Sequence, residues 1–119
     1  MSSTKQIYDF AIKWSAKFQD RNTWYLALAD HFIADECAAL GFEMDCGNAF
    51  EREYGRAVFD YNELNNIIDN ITDIPLLGSA IYSRWRYFNH WACSGDEILK
   101  DDNRMWFILA FDRLALLTK

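Results

Sequence analysis

A chain of 119 residues, 51% hydrophobic and 17% aromatic, can bury a core of its own, which excludes a disordered chain and a miniprotein dependent on metal or disulfides. A net charge of −6 and a pI near 4.7 argue against direct nucleic-acid binding, whose affinity comes from clustered lysine and arginine, but are compatible with an acidic surface drawn to a basic site of another protein. Cys37, Cys46 and Cys93 form no C-x-x-C and are odd in number, as in a reduced, cytoplasmic protein; no signal core opens the chain, and Asp30, His31, Asp35 and Glu36 interrupt its most apolar stretch, so no membrane span is expected.

Helical spacing dominates from the start. Ser3 with Gln6 has the pattern of a capping box, and Ile7, Phe10, Ala11, Trp14 and Phe18 follow at steps of three or four, one stripe of an amphipathic helix. "QDRNT" (19–23) ends that helix and offers Asn22 or Thr23 as the next N-cap. A second helix is predicted from Trp24 to Leu40, with Gly41 in the position after the C-cap that favours glycine. It is rich in alanine and apolar on most sides, which places it centrally.

"GFEMDCGN" (41–48) reads as a loop, with Asn48 and Glu51 as a further possible capping box. Phe50, Tyr54, Ala57, Tyr61, Leu64, Ile68 and Ile71 then alternate steps of four and three, which argues for helix through Ile71 with room for a break near Gly55 or Asn62. "GRAVFDY" could instead be a short strand, but no second strand is evident to pair with it. Asp73 is placed to cap a fourth helix with Pro75 in its first turn, and that helix runs to about Cys93. Ser94 and Glu97 suggest a short helical turn. Asp101 or Asp102 opens a last helix whose stripe is Trp106, Ala110, Leu114 and Leu117, flanked by Phe107 and Phe111. The expected fold is all-α: a single domain over residues 1–119, a compact bundle of about five main helices with short loops. The stripe from Phe50 to Ile71 resembles a coiled-coil seam and suits an intramolecular bundle or a helix pair between two copies.

One stretch stands out chemically: "IYSRWRYFNHWACSG" (81–95). On a helix, Leu77, Ile81, Trp85, Phe88 and Ala92 form the core face; Tyr82, Arg86, Asn89, His90 and Cys93 project elsewhere; Arg84, Tyr87 and Trp91 lie between. Arg84 can stack on Tyr87, Phe88 or Trp91, an attraction of about 0.5–2 kcal/mol depending on burial. The commoner role for both arginines is an internal ion pair with one of the eighteen acidic residues. The sharper reading is a recognition patch made of Tyr82, Arg84, Arg86, His90 and Trp91, since arginine and the large aromatics are enriched where proteins bind one another. The same segment can be drawn as a helix-turn-helix carrying Arg84 and Arg86, although Glu63, Asp69 and Asp73 surround its turn.

Other chemistry is thinner. His31 and Asp35, one turn apart and with Asp30 or Glu36 nearby, could face a single metal ion, but they lack a second histidine and the general base of H-E-x-x-H. Cys93 lies three residues beyond His90 with no independent third group for nucleophilic catalysis. No glycine-rich phosphate loop is present and no cofactor is expected. Glu51, Glu53, Asp60 and Glu63 look like the solvated face of a helix. The runs "LGSAIYSRWRYFNHWA" (77–92) and "DDNRMWFILAFDRLALL" (101–117) resemble small proteins of bacteria and their mobile elements, a resemblance that implies no activity or site.

The first functional expectation is therefore a non-enzymatic helical module that binds another protein, or itself as a homodimer, through the aromatic and arginine surface. The alternative is a small acidic inhibitor of phage or plasmid type, whose acidic faces over 30–36 and 43–63 occupy a basic nucleic-acid groove of its target. A second alternative is a metal-dependent enzyme centred on His31 and Asp35.

Overall fold

The computed structural model describes residues 3–29, 32–43, 49–54, 61–91 and 101–119, and every regular element among them is helical. The elements are α1 (Thr4–Gln19), α2 (Trp24–Ala29), α3 (Phe32–Ala39), α4 (Ala49–Tyr54), α5 (Tyr61–Asn70), α6 (Ile74–Arg86) with a π-helical turn (Tyr87–Trp91) at its end, and α7 (Asp101–Thr118). The all-α reading holds. The five predicted helices correspond to α1, α2 with α3, α4 with α5, α6 with its π turn, and α7. Residues 30–31, residues 55–60 with the strand alternative read there, the Asn48 cap, and the segment holding Ser94 and Glu97 lie outside the described residues.

Several helix ends arise from local chemistry. Ser3 Oγ accepts the Gln6 N–H at 3.3 Å while Gln6 Oε1 accepts the Ser3 N–H at 2.9 Å, so two donors at the start of α1 are satisfied reciprocally. Asp73 Oδ1 accepts the Leu76 N–H at 3.1 Å, with Pro75 in the first turn of α6. Gly41 sits at φ 84°, its N–H donating to Ala38 and that of Phe42 to Cys37, the paired bonds of a Schellman ending for α3. At the α1–α2 corner Thr23, one of the two expected caps, stands immediately before α2, its carbonyl accepting the Leu26 N–H at 2.9 Å. Asp20 Oδ1 accepts the Asn22 N–H at 2.8 Å and the Asp20 carbonyl accepts the Trp24 N–H at 2.9 Å, so an aspartate turn ahead of Asn22 and Thr23 starts α2.

Packing corrects one expectation outright: the central helix is α7, not the segment from Trp24 to Leu40. Trp106, Phe107, Ala110, Phe111 and Leu114 are all at most 1% exposed, whereas Tyr25 and Leu26 of α2 are 43% and 58% exposed. An alanine-rich apolar segment has little bulk to drive burial, while each fully buried aromatic or leucine of α7 contributes about 1.5–3 kcal/mol. α1 lies antiparallel along α7. Phe18 meets Phe107 (ring centroids 4.9 Å apart) near one end, and Phe10 meets Phe111 (5.8 Å) nearer the other. The whole α1 stripe (Ile7, Phe10, Ala11, Trp14, Phe18) is buried in this seam. Of the Phe50–Ile71 stripe, Phe50, Ile68 and Ile71 are buried.

Two arginines of α7 join other helices to the centre. Arg104, 3% exposed, donates through Nε to Asp101 (2.7 Å) and through Nη1 to the Phe18 carbonyl in the last turn of α1 (3.3 Å). Arg113 Nε donates to the Ile71 carbonyl just past α5 (2.9 Å). Each places a cation where a helix ends in unpaired carbonyls. No described helix is long and apolar enough to cross a membrane.

Candidate functional site

The middle of α6 is walled in. Leu77, Gly78, Ser79, Ala80, Ile81 and Tyr82 are six consecutive buried residues, with Trp85 and Phe88 continuing the core face. Gly78 permits this closeness: a Cβ there would lie 2.4 Å from the Phe42 ring. Beyond its first turn, where Pro75 is exposed and Ile74 and Leu76 are half-buried, the helix opens outward at its C-terminal end, at Ser83, Arg84, Arg86, Tyr87 and Asn89, which are half-buried.

This placement divides the five predicted contact residues. Tyr82 is corrected: it is 9% exposed, and its ring stacks on Trp85 at 6.0 Å, so it belongs to the core. The enclosure of α6 by its neighbours covers a position that spacing alone had left outside. Arg84 lays its guanidinium over both Tyr87 and Phe88, 4.9 Å from each ring centroid, the stacking the sequence suggested. Arg86 makes no hydrogen bond or ion pair with the described residues, so no carboxylate among them takes up its charge. The backbone of His90 and Trp91 lies in the π turn; their side chains, and Ala92 and Cys93, lie outside the described residues.

The π turn is the feature the sequence did not disclose. Asn89 Nδ2 donates to the Trp85 carbonyl four residues back (2.8 Å) and to the Leu28 carbonyl at the end of α2 (3.1 Å), fastening the widened turn to a neighbouring helix. Such turns are often found at functional sites. An extra residue in a turn rotates the subsequent side chains by roughly 100°, so a face assigned by α-helical period does not carry past Phe88. Tyr87, read as flank, lies with Arg84 at the half-exposed end; the signal available in the sequence was its three-residue spacing from that arginine.

The metal reading gains no support from the described part. Asp35 is exposed on α3, and His31 and Asp30 lie outside the described residues. Glu36 is committed elsewhere: it pairs with Lys13 and accepts the Trp14 indole N–H, tying α3 to α1. Among the described residues no three histidine, cysteine or acidic side chains gather closely enough to hold an ion. Burial, reinforced by the charge of adjacent Glu36, pushes the Cys37 thiol up to about 12, which keeps it protonated and inert at neutral pH. The helix-turn-helix drawing has the right connectivity, α5 then Ile71–Asp73 then α6. The buried run from Leu77 to Tyr82 nonetheless leaves the middle of α6 no open face to lay in a groove.

No family model, curated protein or solved structure matches this chain.

Proposed function

We propose that the chain is a non-enzymatic interaction module that grips a protein partner at the C-terminal end of α6, through Arg84, Arg86 and Tyr87, with His90 and Trp91 following in the chain. The observation that carries this reading is the half-buried Arg86, without an internal partner among the described residues and two residues from an arginine whose guanidinium sits 4.9 Å from the centroids of two aromatic rings. A guanidinium fixed in place loses little freedom on binding and offers planar donors to carboxylates or carbonyls, while the rings supply apolar area. The Asn89 tether to α2 supports the same reading, because it holds the turn rigid before a partner arrives.

The acidic-inhibitor reading rests on a different observation. Residues 30–73 hold eleven acidic and two basic side chains, so the net negative charge of the chain is concentrated there. Two substitutions separate the readings. Proteins retained by the immobilised wild-type chain are identified, and binding of the purified partner is then titrated. Arg86→Ala is expected to weaken that binding roughly ten-fold or more without lowering thermal stability, in line with the loss of an interface arginine. Glu53→Lys should leave it unchanged. The opposite pattern, with binding that also falls steeply with salt, would support the inhibitor. Loss of stability in Arg86→Ala with unaltered binding would return this arginine to a structural role.

A further inference from the structure

The solvent side of α7 carries a pattern of its own. Asp102, Met105, Leu109, Asp112 and Leu116, with Lys119 directly after the helix, follow one another at alternating steps of three and four, the spacing of a coiled-coil seam. They lie opposite the buried residues of the same helix: Met105 is 48% and Leu116 61% exposed, Leu109 is half-buried, and the three charged residues are exposed. Methionine and leucine this open, at seam spacing on the most buried helix of the fold, leave an apolar strip on the surface. Ile12 of α1, 46% exposed, borders it. Ser15, one turn after Ile12, donates to Asp112 at 2.6 Å, and Leu116 is one turn beyond Asp112 on the antiparallel helix.

The strip complements itself when reversed. Laid antiparallel on a second α7, Asp102 faces the second copy's residue 119, Met105 faces 116 and Leu109 faces 112; each of these pairings sums to the same register. Acid therefore meets base at both ends, and apolar meets apolar one step inward. At the centre the Asp112 carboxylate accepts the Ser15 hydroxyl of α1. In a parallel arrangement Asp102 would face its own kind and so would Lys119, and like charges set against each other disfavour that orientation.

We infer that two copies of this chain associate through α7, antiparallel across a two-fold axis passing between residues 110 and 111. The second copy is the occupant that the charge order specifies, because one register satisfies both ends at once. The interface shares no residue with the proposed partner site on α6, so the two inferences stand or fall separately.

Sedimentation of the full chain over a range of concentrations tests it. The wild type is expected to approach twice the 14.0 kDa chain mass, and Leu116→Asp to remain monomeric with unchanged helicity, since the side chain it replaces is exposed. Asp102→Lys and Lys119→Asp should each raise the dissociation constant by roughly ten-fold, two exposed ion pairs being turned into repulsions. An equimolar mixture of those two variants should recover association, because each supplies the charge the other lacks. A wild type that stays monomeric, a dimer indifferent to Leu116→Asp, or single charge variants no weaker than wild type would overturn the inference; so would a mixture that fails to recover.

Discussion

At the scale of single residues, the fold depends on a few side chains whose surroundings leave no slack. Gly78 lets α6 meet the Phe42 ring, itself fixed by the Schellman turn at Gly41 and set edge-on to Phe10 at 6.3 Å. Gly78→Ala is therefore expected to cost about 1–3 kcal/mol through overpacking, although alanine is otherwise the better helix former. Urea denaturation measures this, and Phe42→Leu in the same chain should return part of the loss, since the two positions share one contact. Additive effects would show that the close approach is not the source. Trp14 is held with equal care: Lys13 and Lys17 lie 5.1 and 5.2 Å from its ring centroid, and its N–H is taken by Glu36.

At the scale of elements, some helix ends are set by their own sequence and others are tethered by a different helix. Arg104 and Arg113 make the point for α1 and α5, donating to carbonyls in the last turn of the one and just past the end of the other. The π turn after α6 depends in the same way on Asn89 reaching the Leu28 carbonyl. Asn89→Ala is expected to cost about 1–3 kcal/mol, the usual penalty for leaving a partly buried carbonyl without its donor. If the turn also positions the partner site, the same variant should weaken partner binding by more than its stability loss explains, measured below the unfolding transition. Unchanged stability together with unchanged binding would mean that the tether matters to neither. Asn89 invites no such role when read from sequence, because its acceptor lies sixty-one residues away on a different helix.

At the scale of the whole molecule, the chain wraps its helices around α7 with a radius of gyration of 13.0 Å, as expected of a folded domain this long. Its stability should fall in acid for a definable reason. Asp20 is held below the ordinary aspartate value of 3.8, first by the Asn22 N–H and then by the Thr23 hydroxyl; Asp101 is held below it by the hydrogen bond from Arg104. A carboxyl whose folded value is depressed binds its proton less readily in the folded chain than in the unfolded one. Its contribution is thus complete above the unfolded value and is lost as pH falls through the folded one. Urea midpoints should be level from neutral pH to about pH 5 and decline below about pH 4, with Asp101→Asn removing part of that decline. A variant that keeps the full wild-type slope would show that the Asp101–Arg104 pair does not contribute to it.

On its own, the amino-acid order determined what neighbouring residues decide among themselves: the helical periods, the Ser3 and Asp73 caps, the glycine ending at Gly41, and the meeting of Arg84 with Tyr87 and Phe88. These depend on groups three to five residues apart, so their physics is complete within one turn of chain. Tertiary structure decided the rest. It made α7 rather than the alanine-rich segment the centre, drew Tyr82 into the core, committed Glu36 to Lys13 and Trp14, and opened a π turn where an even period was expected. Ser15 and Asp112 illustrate why: they are ninety-seven residues apart in sequence and 2.6 Å apart in space. Which faces are covered, which charges find partners and which apolar strip is left over are properties of surfaces brought together by folding, and no local spacing encodes them.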